Sequence, residues 1–173
     1  MATKKTSMFT LTERLTISAA ATDTFATIDL GSYVDVGDRQ ALQIHSVDYI
    51  FQGTTAAADV VSDLGNGNEF HVQTTDLNRG GLVFANDRAL VSSASIRADT
   101  GGSLDRVADL FPDNFGKGAD DGRYVVNDQL YITAHATNLV GPLNVTVRVN
   151  ASIVSLSAKD FMAIAIQSTA ADN

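Results

Sequence analysis

The sequence predicts an all-β fold, an antiparallel β-sandwich with short loop helices, and three observations carry that prediction. Eighteen Asp stand against two Glu (Glu13 and Glu69), and eight Arg against four Lys. That is a composition of turns: the short Asp carboxylate bonds to nearby backbone N–H groups, whereas exposed helix faces draw on Glu and Lys. Segments of period-two alternation recur along the chain, as half-buried strands require. No parallel βαβ rhythm and no internal repeat interrupts them.

The elements follow in order. FTLTERLTI, 9–17, puts Phe9, Leu11, Leu15 and Ile17 on one face with Glu13, an exception that marks a strand edge or a subunit contact. A short strand covers 24–30, with turns at Gly31 and Gly37. In ALQIHSVDYIFQ, 41–52, Leu42 and Ile44 have one parity and Val47, Tyr49 and Phe51 the other. All five point inward only if an extra residue intervenes near His45–Ser46, as in a β-bulge. Ala56–Leu64 reads as about two helical turns stopped by Gly65. Strands follow at 70–76, at Leu82–Phe84 and at 89–98. LDRVADLF reads as a short helix capped by Ser103 and ended by Pro112. Leu130, Ile132, Ala134 and Ala136 mark a strand over 129–137, and Leu143 to Ile153 hold one parity for eleven positions. NLVGP, 138–142, suits a hairpin between those two. SAKDFMAIAIQ is a helix capped by Ser157, with Asp160 three residues on, or a strand aligning Met162, Ile164 and Ile166. Roughly eight strands favour a double-sheet sandwich or jelly roll over a lipocalin-like barrel, whose interior leaves a more obvious aromatic-lined cavity.

The 173 residues, of formal charge -8 and without Cys or Trp, fit one domain that buries roughly two thirds of its surface. Residues 1–8 read as an N-terminal arm, 9–168 as the sandwich and 169–173 as a flexible tail. No apolar run approaches the roughly 20 residues of a membrane span, and the start lacks the apolar core of a secretory signal. The missing cysteines exclude disulfides, thiolate metal sites and cysteine nucleophiles. The acidic balance argues against wrapping nucleic acid or binding an anionic membrane.

Motifs of catalysis are missing: no GxSxG, no GxxxxGK[ST], no GxGxxG. His45, His71 and His135 match no short metal signature and read as ordinary strand or surface residues. Asp35/Asp38 flank Gly37, Asp120/Asp121 precede Gly122 and Asp59/Asp63 share a helix face; all read as ordinary acidic groups first and calcium ligands second, with Asp120–Asp121 and their neighbours the foremost calcium candidates. Glu13 and Glu69 are the only Glu candidates for paired-carboxylate chemistry, and nothing pairs them. Asn144–Val145–Thr146 is formally a glycosylation acceptor but lies on a strand. Arg97, Arg123 and Arg148 read as paired surface or interface groups. The sequence therefore predicts no catalytic residue, no metal ion and no cofactor.

Taken together, DLGSYVDVGDRQALQIHSVDYIFQ and DQLYITAHATNLVGPLNVTVRVNASIVSLSAKDFMAIA make the chain resemble a viral major capsid protein of the single jelly-roll type. The resemblance implies an eight-stranded sandwich that self-assembles into an icosahedral shell, located in the virion. It implies partners that are copies of itself and other virion proteins, with contact to an internal membrane allowed. Lys4 and Lys5 give the first twenty-two residues a charge of +2, too little for an arm that neutralises a genome. Outward strand residues rich in Thr, Ser, Ala and Asn, with few Lys to block edges, independently favour close packing between copies. The alternative is a carbohydrate- or ligand-binding module on the same sandwich, with Tyr33, Tyr49, Tyr124 and Tyr131 as its aromatic supply.

Overall fold

The computed structural model describes residues 2–18, 22–53, 55, 60–101, 104–111, 114–116 and 121–169. Among them the strands are β1 (Thr3–Lys4), β2 (Phe9–Ile17), β3 (Thr24–Asp29), β4 (Gln40–Gln52), β5 (Glu69–Thr75), β6 (Leu90–Ala98), β7 (Leu104–Phe111), β8 (Arg123–Val125), β9 (Gln129–Ala136) and β10 (Leu143–Ser155). Two helices, α1 (Val60–Leu64) and α2 (Ala158–Thr169), complete the described elements.

The strands form two five-stranded antiparallel sheets. In the first, β10 lies between β4 and a β2 edge that β1 extends, and β8 lies outside β4. The second runs β3-β9-β5-β6-β7. The pairs are nested: β2 with β10, β3 with β9, β4 with β8, β5 with β6. A chain folded back as one long hairpin and then rolled up gives this order. The fold is a single jelly roll.

This winding overturns one local expectation. β9 and β10 belong to different sheets, so residues 138–142 form a crossing between layers and not a hairpin. Asn138 adopts a φ of 72° there, and the N–H groups of Val140 and Gly141 both donate to the Asp63 carbonyl at 2.9 Å. Gly65, with a φ of 79°, ends α1 as expected; a Cβ at this position would lie 2.5 Å from Val140. The beginning of the expected Ala56–Leu64 helix lies outside the described residues, Asp59 included.

The bulge in β4 is where parity placed it. Asn150 of β10 opposes Ser46 and Ala151 opposes Ile44, leaving His45 as the extra residue. Ile44 and Val47 can therefore both be fully buried. Against them β10 presents Val145, Val147, Val149 and Ala151, each with no exposure, and burying each valine contributes about 1.5–3 kcal/mol. Phe51 meets Phe70 edge-on across the layers at 5.4 Å. Tyr49 ties the sheets by donating to Thr74 Oγ1 and accepting from Ser92 Oγ.

Two other expectations fail for the same reason, tertiary pairing. LDRVADLF forms strand β7, not a helix, because the free edge of β6 offers it a ladder. Register shifts at Ser93/Ala94 and Arg97/Ala98 accommodate its non-alternating pattern. The expected cap Ser103 and stop Pro112 lie outside the described residues. Leu82–Phe84 is loop and not strand, held by the Gln73 side chain. At the C-terminus the helix prevails: Ser157 Oγ accepts from the Asp160 N–H at 3.1 Å and donates to its carboxylate at 2.8 Å, which caps α2.

Candidate functional site on the outer face of the second sheet

Alternation in β3, β9 and β5 sends one residue set into the core and leaves the other on an outer face, to which β6, otherwise buried, adds Arg97. Register brings together on that face groups that sequence distance keeps apart. His71 lies directly opposite His135. His71 Nε2 is 3.1 Å from Glu69 Oε2, Arg97 Nη1 is 3.5 Å from Glu69 Oε1, and His135 Nδ1 is 2.7 Å from Asp23 Oδ1. The result is a row across the strands in which two imidazoles are flanked by carboxylates. Only the pairing of β5 with β9 creates it, so spacing in the chain gave no signal. Among the described residues no group of three or more acidic or histidine side chains is placed to hold a metal ion.

His45 sits apart, buried at the β4 bulge. Its Nδ1 is 3.1 Å from the Gly116 carbonyl and its Nε2 is 2.9 Å from Ser152 Oγ. A carbonyl can only accept, so Nδ1 donates to it, and Ser152 Oγ in turn donates to Gln43 Oε1 at 3.3 Å. This histidine closes the bulge and is buried.

Further along the same outer face lies a cleft of about 280 Å³, bounded by Phe25, Thr27, Tyr131, Thr133 and Asn78. Phe25 is 55% exposed. Asn78 belongs to the β5–β6 connection, which folds over the sheet. Gln73, pointing outward from β5, fixes that connection as a strand would: its Nε2 donates to the Val83 carbonyl at 2.8 Å and its Oε1 accepts from the Val83 N–H at 2.7 Å. Arg79 and Asp87 close the loop with Nε to Oδ2 at 3.2 Å and Nη2 to Oδ1 at 3.2 Å. Asp87 Oδ1 also accepts from the Ala89 N–H. The tied loop holds Phe84 in water, 87% exposed.

A smaller cavity of about 160 Å³ lies where the loop meets β8 and α2, lined by Asp76, Gly122, Arg123, Tyr124, Ile164 and Gln167. Asp76 is buried. Its Oδ2 accepts from Arg123 Nη2 at 3.0 Å, and its Oδ1 has no hydrogen-bond partner among the described residues. Burial pushes its carboxyl above the ordinary range, outweighing the opposing pull of Arg123 and Arg79.

The remaining sequence candidates resolve into structure. Asp35 Oδ1 accepts from the Gly37 and Asp38 N–H groups, an Asx turn; Asp120 lies outside the described residues. Glu13 and Glu69 lie on different sheets. Asn144 accepts from Thr16 Oγ1 and donates to the Gly53 carbonyl. Arg123 and Arg97 are paired, and Arg148 is exposed. Of the four tyrosines, Tyr49 ties the layers, Tyr33 stacks on Phe9 at 5.2 Å, Tyr124 packs beside α2, and Tyr131 reaches the outer cleft.

Neither a protein-family model nor a curated protein matches the chain. Among solved structures it is similar to VP1 of trichodysplasia spinulosa-associated polyomavirus in complex with 3'-sialyllactose, at 10% identity and a TM-score of 0.49, over 89% of this chain and 96% of that one. VP1 of Merkel cell polyomavirus in complex with disialyllactose is similar at 10% identity and a TM-score of 0.38, over 78% of each chain. The jelly roll itself rests on this chain's own strand order. On it, the second sheet carries a hydrogen-bonding row, an aromatic cleft and a projecting phenylalanine, an arrangement suited to binding a surface.

Proposed function

We propose that this chain is a self-assembling major capsid subunit that builds an icosahedral virion shell. The observation that carries the reading is the β5–β6 loop. Gln73 and the Arg79–Asp87 pair fix a loop whose aromatic tip, Phe84, is 87% exposed. An aromatic side chain held in water loses the burial that is the main use of such a residue, and a contact surface recovers it. Jelly rolls serve viral shells, lectins and cupins alike, so the fold leaves the choice to the surface. The placement of His45 in the core, away from His71 and His135, disfavours a cupin-type centre. Partners in this reading are copies of the chain and other virion proteins. Genome contact falls to another component, given the charge of -8.

The test is mass and shape. Light scattering and electron microscopy of purified protein are expected to show uniform shells or closed capsomers. A strict monomer at high concentration and across salt concentrations contradicts the proposal. The Phe25–Tyr131 cleft favours a second reading, a carbohydrate-binding module; sugar-array binding by a strict monomer supports it.

A further inference from the structure

We propose that Phe84 of one copy seats in the Phe25–Tyr131 cleft of a second copy. This contact rests on the reading of the chain as an assembling subunit and names where two subunits touch. Size comes first: the cleft holds about 280 Å³, and a cavity of about 150 Å³ already accepts a benzene ring. Chemistry agrees, since Phe25 and Tyr131 offer aromatic lining, with Thr27, Thr133 and Asn78 adding polar groups. The chain's own Phe84 does not fill this space. Its backbone is held at Val83 and at Asp87, whose N–H donates to the Phe84 carbonyl at 3.0 Å, and its ring stays exposed.

Charge matches across the contact. The loop that carries Phe84 also carries Arg88, and β3 carries Asp29 two residues beyond Thr27, both exposed. Facing copies bring these opposite charges to one rim, which favours the right register. Projection and cleft belong to the same sheet face, so a two-fold axis satisfies two such contacts at once. Each buried aromatic covers roughly 150–250 Å², and two fall short of the roughly 1,000 Å² of a stable free-standing pair. The contact is therefore weak alone and gains strength within a larger assembly.

The chain has no cysteine, so single introduced cysteines report proximity without background. Phe84→Cys protein is mixed with Thr27→Cys protein under assembling conditions and oxidised. Thr12→Cys, exposed on the other sheet, serves as the control partner. The expected result is roughly tenfold more mixed disulfide with Thr27→Cys than with Thr12→Cys, and association of Phe84→Asp weakened about tenfold or more. Circular dichroism checks the fold of each variant. Shells that form normally with Phe84→Asp, together with equal cross-linking to both partners, overturn the contact and leave the assembly reading standing. A parent protein that stays monomeric with no cross-link overturns both. Saturation of the cleft by a sugar, lost in Tyr131→Ala, with no cross-link, overturns the contact in favour of the binding module.

Discussion

At the scale of single residues, the surplus of Asp over Glu acquires a mechanism. Asp29, Asp35 and Asp99 each accept, through Oδ1, the N–H of a glycine two residues on, at 2.8 Å. Asn78 and Asn114 do the same for Gly80 and Gly116. A Glu carboxylate is one methylene too long for that ring, so the Asx-x-Gly turns of a rolled sandwich select Asp and Asn. Asp76 departs from this pattern. It links the loop after β5 to β8 through Arg123, and its backbone carbonyl accepts from Asn127 Nδ2. Because burial raises its carboxyl value in the fold, the sign of its pH effect follows. In acid both folded and unfolded chains hold the proton. As pH rises above the ordinary carboxylate range the unfolded chain ionises first, so stability falls until Asp76 ionises in the fold, then levels off. Urea unfolding across pH is expected to show this slope in the parent and to lack it in Asp76→Asn. At neutral pH Asp76→Asn stays within about 1 kcal/mol of the parent, since an acceptor for Arg123 remains, whereas Asp76→Ala loses about 2 kcal/mol. An identical pH slope in parent and Asp76→Asn would place the titration elsewhere.

At the scale of elements, the Gln73–Val83 pairing substitutes a side-chain amide for a strand. Leu82–Phe84 has the apolar character of a strand, and the backbone of Val83 is bonded on both its N–H and its carbonyl, yet the partner is the Gln73 side chain and not a strand backbone. Gln73→Ala is therefore expected to release the loop while leaving the sheet intact. Hydrogen exchange at Val83 should accelerate by roughly tenfold, and stability should fall by about 1–2 kcal/mol. Unchanged exchange at Val83 would show that the Arg79–Asp87 closure alone suffices. The same element shows what the sequence could reveal. β2 was legible to its ends because edge strands with one wet face keep strict alternation. The β4 bulge was legible because a change of parity inside a continuous apolar run has few other solutions. β7 was not, because its pattern fits a helix until the free edge of β6 is known. The 138–142 crossing is not legible because two neighbouring strands imply a hairpin locally, and only the rolled topology sends them to different sheets. For the outer face the limit was the same: His71 and His135 are 64 positions apart, and register alone makes them neighbours.

At the scale of the whole molecule, the charge of -8 and the exposed apolar groups act in opposite directions on assembly. Large exposed side chains sit on separate parts of the fold: Val36 in the β3–β4 turn, Phe84 on the β5–β6 loop, Val140 between β9 and β10, and Met162 and Ile166 on α2. Any arrangement that buries them against neighbouring copies also brings net negative subunits together. That repulsion reaches about a Debye length, roughly 10 Å at 0.1 M salt and 3 Å at 1 M. Apolar burial has no such screening. Rising ionic strength should therefore drive association: the mass measured by light scattering is expected to increase between about 0.05 and 1 M sodium chloride. Shielding by counterions predicts the same direction for sodium chloride and for lithium chloride at equal ionic strength. The opposite behaviour, dissociation as salt rises, would assign the contacts to ion pairs such as Arg88 with Asp29, with Phe84 contributing little. In that case Arg88→Glu, rather than Phe84→Asp, would be the substitution that abolishes assembly.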